Sequence, residues 1–311
     1  MAPQMPRNVV SIWLAIAAVG TLLCTPMGTS IGQEMTPRAY WPAPRDTKIL
    51  VVGYAYSQGD IVTDPSLPIT GVDSRISSAL VAYQQTLDLA GRTANLQLEL
   101  PYTSGTTTGS ILGRAGRAGR ADVSGVGDVV ATLSINLTGA PCMDQAEFVA
   151  MLRDPHPILA ACLKIVAPTG KYDGNKLINI GSNRWAARLQ VGYVYPASRR
   201  WWVGVWVFAE NHNFLGTTLQ QHPIYAAEGH LIRLTRSGIW ATLDANYYAG
   251  GRSYVDHDPR PDFQRNSRMG LTLAYPFHRK HAIKVGYSRG IATESGGDYS
   301  TASLTYAVRL D

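Results

Sequence analysis

The pentad Gly286-Tyr287-Ser288-Arg289-Gly290 has the GxSxG spacing of a hydrolase nucleophile elbow. In that motif a sharp strand-to-helix turn exposes the serine to a histidine base. Here a strand-like run precedes the pentad, but Ile291 to Asp298 is glycine-rich and offers no helix, so Ser288 reads as a strand residue near a loop. His230, His257 and His281 have the chemistry of general bases near neutral pH. No spacing ties any of them to a nucleophile. Gly170-Lys171 has the tail of a phosphate loop, yet Ile165 stands where the first glycine belongs and Tyr172 where Ser or Thr would be. Asp256-His257-Asp258, and Glu294 with Asp298, are acidic enough for a divalent ion but lack calcium-loop spacing. They read as solvated loop tips. Cys142 and Cys162 show no metal spacing and read as free thiols. The expectation is therefore no catalytic set, no metal and no cofactor, with a rim-sited outer-membrane hydrolase as the alternative.

A second group of polar side chains is far more regular. Asn95, Gln97 and Glu99 alternate with Leu96, Leu98 and Leu100; Thr132, Ser134 and Asn136 alternate with Ala131, Leu133 and Ile135. Arg188 and Gln190 alternate with Ala187, Leu189 and Val191, and Asp244 and Asn246 oppose Leu243 and Tyr247. Lys164, Glu228, His230 and Lys284 sit in weaker versions of the same pattern. Such residues could line a water-filled lumen. Their mixed charges argue against a strongly ion-selective filter, and pairing among them would fill the interior instead.

Period-two alternation is the signature of strands with two unlike faces. It recurs at 48–57, 76–87, 93–102, 128–137, 158–167, 184–195, 201–210, 224–233, 238–249, 267–276, 281–290 and 299–310, predicting twelve strands. Each is about 9–11 residues, the length a tilted strand needs to cross a bilayer. Long or glycine-rich connections (58–75, 103–126, 168–183, 211–222, 250–265, 291–297) alternate with tight ones (88–92, 196–200, 234–237, 277–280). Outer-membrane barrels sort their loops this way, with short turns on the periplasmic side. The exception is 138–157, which predicts a short periplasmic helix over Met143 to Arg153. Tyr102, Trp185, Tyr195, Trp201, Trp202, Tyr275, Phe277 and Tyr299 near strand ends fit interfacial girdles. The fold class expected is all-β: an antiparallel, closed transmembrane β-barrel of about 12 strands with one short periplasmic helix.

Composition agrees. Charged residues are 16% of the 311 and hydrophobic residues 45%, against about 25% charged in average soluble domains. After residue 30 no apolar run approaches the roughly 20 residues of a spanning helix. Arg7 precedes an apolar stretch, Val9 to Cys24, with small residues at Gly28, Ser30 and Gly32. That predicts a signal peptide over 1–32, an N-terminal periplasmic segment over 33–47 and a barrel over 48–311. Leu23 ahead of Cys24 argues against a lipoprotein. The net charge of +6 belongs to an exported chain that meets no nucleic acid, and Arg114, Arg117 and Arg120 read as a solvated glycine-rich loop. Tyr40 and Trp41, in Ala39-Tyr-Trp-Pro-Ala-Pro44, are too apolar for a free tail. They are expected to plug the periplasmic mouth, or else to anchor the first strand.

The stretches RAYWPAPRDTKILVVGYAYSQGD (38–60), TDPSLPITGVDSRI (63–76), LPYTSGTT (100–107) and APTGKYDGNKLINIGSNRWA (167–186) resemble, in order, one bacterial family. So do FLGTT (214–218), LDANYYAGGRS (243–253) and RKHAIKVGYSRGIATESGGDY (279–299). It is the family labelled "putative meta-pathway of phenol degradation". The resemblance covers nearly all of the chain beyond the leader. It implies an outer-membrane β-barrel transporter for small hydrophobic or aromatic solutes, linked to phenol catabolism. Its partners would be the lipid bilayer, lipopolysaccharide and the outer-membrane assembly machinery, and it brings no catalytic residues. One departure from outer-membrane barrels is the C-terminal Asp311, where an aromatic residue is usual. A structural barrel with a filled lumen is the remaining alternative.

Overall fold

The computed structural model describes residues 35–61, 69–111, 118–214, 219–255, 257–294 and 297–310. The predicted leader, Asp256, Gly296, Asp311, Arg114 and Arg117 lie outside them. The wall strands, in chain order, are β1 (Lys48–Gly59), β2 (Ile69–Leu89), β3 (Arg92–Ile111), β4 (Ala118–Val126), β5 (Val129–Thr138), β6 (Ile158–Ala167), β7 (Arg184–Pro196) and β8 (Trp201–Phe214). After the short β9 (Leu219–Gln221) come β10 (Ile224–Leu234) and β11 (Trp240–Gly250). Two more short strands follow, β12 (Ser253–Val255) and β13 (Asp258–Pro259), before β14 (Gln264–Pro276), β15 (His281–Thr293) and β16 (Tyr299–Arg309).

Every pairing is antiparallel, and β1 pairs with both β2 and β16, so the sheet closes on itself. β4 and β5 each pair with one half of β3 and are separated by Gly127-Asp128 alone. Counted as one wall strand they make the barrel twelve-stranded. β9, β12 and β13 form a separate small sheet in the long-loop region. Within the belt every described wall strand has a partner on both sides, as a hydrocarbon environment requires; β4 and the outer part of β2 have one neighbour only, on the extension beyond it.

Burial inverts the pattern of a soluble protein. Along β7 the outward Leu189 is 62% exposed while its neighbour Arg188 is 5% exposed. Outward Val52, Val81, Leu98, Leu163, Val205, Leu243 and Leu271 continue this belt around the wall. Apolar side chains outward and polar ones inward are stable only against lipid outside and a polar or filled interior.

Three expectations need correction. The stretches 58–75 and 103–126 are in large part strand, because β2, β3 and β4 run on beyond the belt as an extended hairpin. The run Thr103-Ser-Gly-Thr-Thr-Thr108 is loop-like in composition, but β-branched threonines suit a pleat. Ser78 and Ser74 bond Thr103 and Thr107 across the strands at 3.1 and 2.9 Å. Trp202 and Tyr299 are not girdle residues; both point inward and are buried. The helix, α1 (Gln145–Arg153), starts two residues later than predicted, because Asp144 is its N-cap.

That cap gives the first prediction. The Asp144 carboxylate accepts from the amides of Glu147 and Ala146, and these bonds, that to Glu147 foremost, hold its pKa below the usual carboxylate value. A depressed folded pKa adds stability that is present above the unfolded value and lost as pH falls through the folded one. The protection factors of the Ala146 and Glu147 amides, with the intrinsic pH dependence of exchange divided out, should therefore be high at pH 7 and fall as the carboxylate is protonated in strong acid. Equal protection at pH 7 and pH 2.5 would remove the carboxylate from the account.

Candidate functional site

The regular polar side chains all lie on the inner face. Asn95, Gln97, Glu99, Thr132, Ser134, Asn136, Arg188, Gln190, Glu228, His230, Asp244, Asn246 and Lys284 are buried there, and Lys164 is half-buried. Many bond along or across the wall. The Asn95 side-chain oxygen accepts from Thr86 Oγ1 at 2.8 Å, and Gln97 Nε2 donates to Glu99 Oε1 at 2.9 Å. Arg188 forms a buried ion pair with Glu210 and lies over the Phe208 ring at 4.1 Å. Sequence reasoning missed Glu210, because both faces of 201–209 are apolar and polarity there gives no sign of which face is inward.

Residues 35–44 run inside the barrel, and Arg45 and Asp46 lie exposed at its mouth. Backbone bonds pin their C-terminal end at the short-turn mouth, Arg45 N to Met143 O at 2.8 Å and Asp46 N to Thr86 O at 3.0 Å. From there Trp41 packs on Trp202 with ring centroids 4.5 Å apart, and Tyr40 meets Trp206 edge-on at 4.9 Å. Gly192 is required for this, since a Cβ built there would come within 2.0 Å of Tyr40 Cε2. Deeper still, the Thr36 amide and hydroxyl donate to Glu228 Oε2 at 3.2 and 3.3 Å, and Trp206 Nε1 donates to Thr36 O at 3.3 Å.

Glu228 belongs to a buried network. His230 Nδ1 lies 2.8 Å from Asp244 Oδ1 and its Nε2 3.2 Å from Glu228 Oε2, so a doubly protonated ring satisfies both carboxylates. Thr242 Oγ1 donates to Asp244 Oδ2 at 2.8 Å. The Asp–His pair matches a hydrolytic relay only in composition. Ser288 sits within β15, which continues to Thr293 without a helix, and its hydroxyl accepts from Arg268 Nη2 at 3.2 Å. His281 is at the rim, stacked near Tyr306, and His257 is exposed in a loop. Among the described residues no three His, Cys, Asp or Glu side chains could hold a metal ion. Cys142 and Cys162 form no disulfide.

The space left beside the segment is narrow. A cavity of about 70 Å³ lies between Met35 and Pro37 on one side and Gly53, Gly270, Gly286 and Lys284 of the wall on the other. A second, of about 20 Å³, lies among Tyr40, Thr132, Ser134, Lys164 and Arg188. By the roughly 10–15 Å³ that one water needs, these hold a few waters and one water.

The family described as "Putative MetA-pathway of phenol degradation" matches residues 49–306, nearly the whole wall from β1 into β16. The chain belongs to this family. The structure of the COG4313 outer membrane channel from Pseudomonas putida F1 superposes with a TM-score of 0.70 at 22% identity, covering 89% of this chain and 100% of that one. The β-domain of the Bordetella autotransporter BrkA is similar at a TM-score of 0.47 and 11% identity, over 85% of this chain and 99% of that one. No curated protein matches the chain. This member of the phenol-degradation family thus has the fold of an outer-membrane β-barrel, and its inner face with the inserted segment is the place to look for its activity.

Proposed function

We propose that this barrel is a channel for small solutes, hydrophobic or aromatic in character, whose route is restricted by residues 35–46. The observation that carries the reading is a polar inner wall with a residual cavity running beside the inserted segment at Met35 and Pro37. Three inward glycines, Gly53, Gly270 and Gly286, keep that side of the wall thin. The family description supports an aromatic solute, and the Pseudomonas channel has the same fold. Since rings as small as phenol cross bilayers unaided, a protein route matters most for bulkier aromatics and across a lipopolysaccharide leaflet. In this reading 1–32 is the export leader, the thirteen residues Asn95, Gln97, Glu99, Ser134, Asn136, Lys164, Arg188, Gln190, Glu228, His230, Asp244, Asn246 and Lys284 line the path, and Tyr40 and Trp41 narrow its periplasmic end.

The test is single-channel recording of the refolded mature chain in planar bilayers, with phenol and catechol-type compounds added. The expected result is a small, stable conductance blocked by aromatics at millimolar concentration and unaffected by equal concentrations of glycerol. A silent barrel that stays silent after removal of the segment would favour a filled, structural interior.

A further inference from the structure

The part of the interior around Arg38 is chemically one-sided. The guanidinium is 1% exposed, lies 3.9 Å from the centroid of the Trp41 ring and 4.8 Å from that of Trp240, and all three of its nitrogens are buried without a hydrogen-bond partner among the described residues. The indole nitrogens of Trp41, Trp202 and Trp240 are likewise buried and unpartnered. Trp41 in turn packs on Trp202, and all three indoles belong to one apolar cluster at the short-turn end of the barrel. Every one of these orphaned atoms is a hydrogen-bond donor, and indole and guanidinium have no acceptor to offer one another. Leaving a charge and several donors without acceptors in an apolar cluster is strongly unfavourable, even after relaxation. Arg38 also has φ 64°, a left-handed backbone conformation that a non-glycine residue adopts at a cost. The turn over 36–41 holds it there through Ala39 N to Thr36 O and Trp41 N to Arg38 O, at 3.2 and 3.1 Å.

We propose that Arg38, Trp41, Trp202 and Trp240 form a recognition site for a small aromatic carboxylate at the periplasmic end of the barrel. The inference deepens the channel reading and rests on it for the aromatic half. A guanidinium presents a planar pair of N–H groups matching the two oxygens of a carboxylate, which a point charge such as lysine does not. Indole faces supply the offset or edge-on surface that an aryl ring prefers. The ligand therefore pairs its carboxylate with Arg38 and lays its ring against the tryptophans, relieving the donor excess while it is bound. Because these side chains are close-packed around the inserted segment, binding requires the segment to shift. A site of this kind lets the solute itself loosen the constriction.

The experiment is a titration of the full refolded mature chain in detergent micelles, following tryptophan fluorescence and confirmed by calorimetry. The probes are benzoate, benzyl alcohol, acetate and inorganic phosphate, applied to the wild type and to Arg38→Gln and Arg38→Lys. The expected result is saturable binding of benzoate that is at least tenfold tighter than that of benzyl alcohol or acetate. Arg38→Gln should lose that preference, and Arg38→Lys should recover only a small part of it. Heat-modifiable migration on gels verifies that each variant is folded. Equal affinity for benzoate and benzyl alcohol, or wild-type affinity in Arg38→Gln, overturns the site. Phosphate or acetate binding as tightly as benzoate overturns its aromatic half and leaves a simple anion site. Conductance is recorded on the same samples: benzoate binding to a silent barrel refutes the channel and not the site, whereas a conducting barrel indifferent to benzoate refutes the site and not the channel.

Discussion

Removing residues 33–46 should convert a barrel of small conductance into one with a stable level several-fold higher. The segment fills the short-turn end of the interior with Tyr40, Trp41, Pro42 and Pro44, and the two cavities beside it among the described residues have room for only a few waters. Twelve strands give a lumen between the filled eight-stranded and open sixteen-stranded cases, so its contents decide whether it conducts. The wall should survive the deletion, because closure depends on the β1–β16 ladder, which runs from Ile49–Arg309 to Gly59–Tyr299 and does not include the segment. Some stability will go: Trp202, Trp206 and Trp240 lose the surfaces they pack on, and losses of large aromatic contacts typically cost about 3–5 kcal/mol. Trp41→Ala is the milder companion. It leaves the Thr36 anchor in place and should raise conductance part of the way, with more frequent closures. Planar-bilayer recordings of all three proteins provide the check, and an unchanged conductance after the deletion would sink the constriction.

The wall was legible in the sequence for a physical reason. Lipid outside and a polar interior give each strand two chemically unlike faces, so β3, β5, β7 and β11 advertise themselves by strict alternation. The signal fades where that contrast fades. In β8 the inward positions are Trp202, Gly204, Trp206 and Phe208, as apolar as the outward valines, because Trp202 and Trp206 pack on the inserted segment and Phe208 packs among Ile224, Ala226 and Tyr248 instead of facing water. Tyr299 faces inward for a comparable reason, lying 3.8 Å beneath the Arg268 guanidinium. Beyond the belt both faces of β2–β4 are hydrophilic, and a Ser/Thr/Gly run held by backbone pairing looks like loop. The inner polar residues followed from the alternation, but their partners did not. Thr36 and Glu228 are 192 residues apart, and Arg38 meets Trp240 only because the strand order brings β11 to the segment. A single arginine inside RAYWPAP has no periodicity to reveal that it is buried.

The anchor of the segment can be weakened without touching the segment, and this is the sharpest way to ask whether it moves. Glu228 Oε2 accepts from the Thr36 amide, the Thr36 hydroxyl and His230, and Oε1 lies 3.5 Å from Asn246 Nδ2. Glu228→Gln keeps the shape and one acceptor oxygen, but it removes the negative charge shared by the Thr36 amide, the Thr36 hydroxyl and His230, one of the two charges flanking that ring. Hydrogen bonds to a charged group are worth about 1.5–3 kcal/mol, against about 0.5–1.5 for neutral ones, and two of these bonds hold Thr36. Opening of 35–46 should therefore become on the order of thirtyfold to a hundredfold more frequent, at about 1.4 kcal/mol per factor of ten. Hydrogen exchange followed by mass spectrometry reports this directly, since faster opening accelerates exchange of peptides covering 36–41 while wall peptides such as 240–250 keep their protection. Asp128→Asn is the matched control: its carboxylate accepts from Gly170 and Ser182 at the opposite end of the barrel, so its disruption should leave 36–41 as protected as in the wild type. The same opening should appear electrically as brief excursions to the level of the deletion protein. If exchange in 36–41 is identical in Glu228→Gln and wild type, the Thr36–Glu228 contact is not what holds the segment, and the aromatic packing of Tyr40 and Trp41 holds it together with the Trp206–Thr36 bond and the backbone bonds at Arg45 and Asp46.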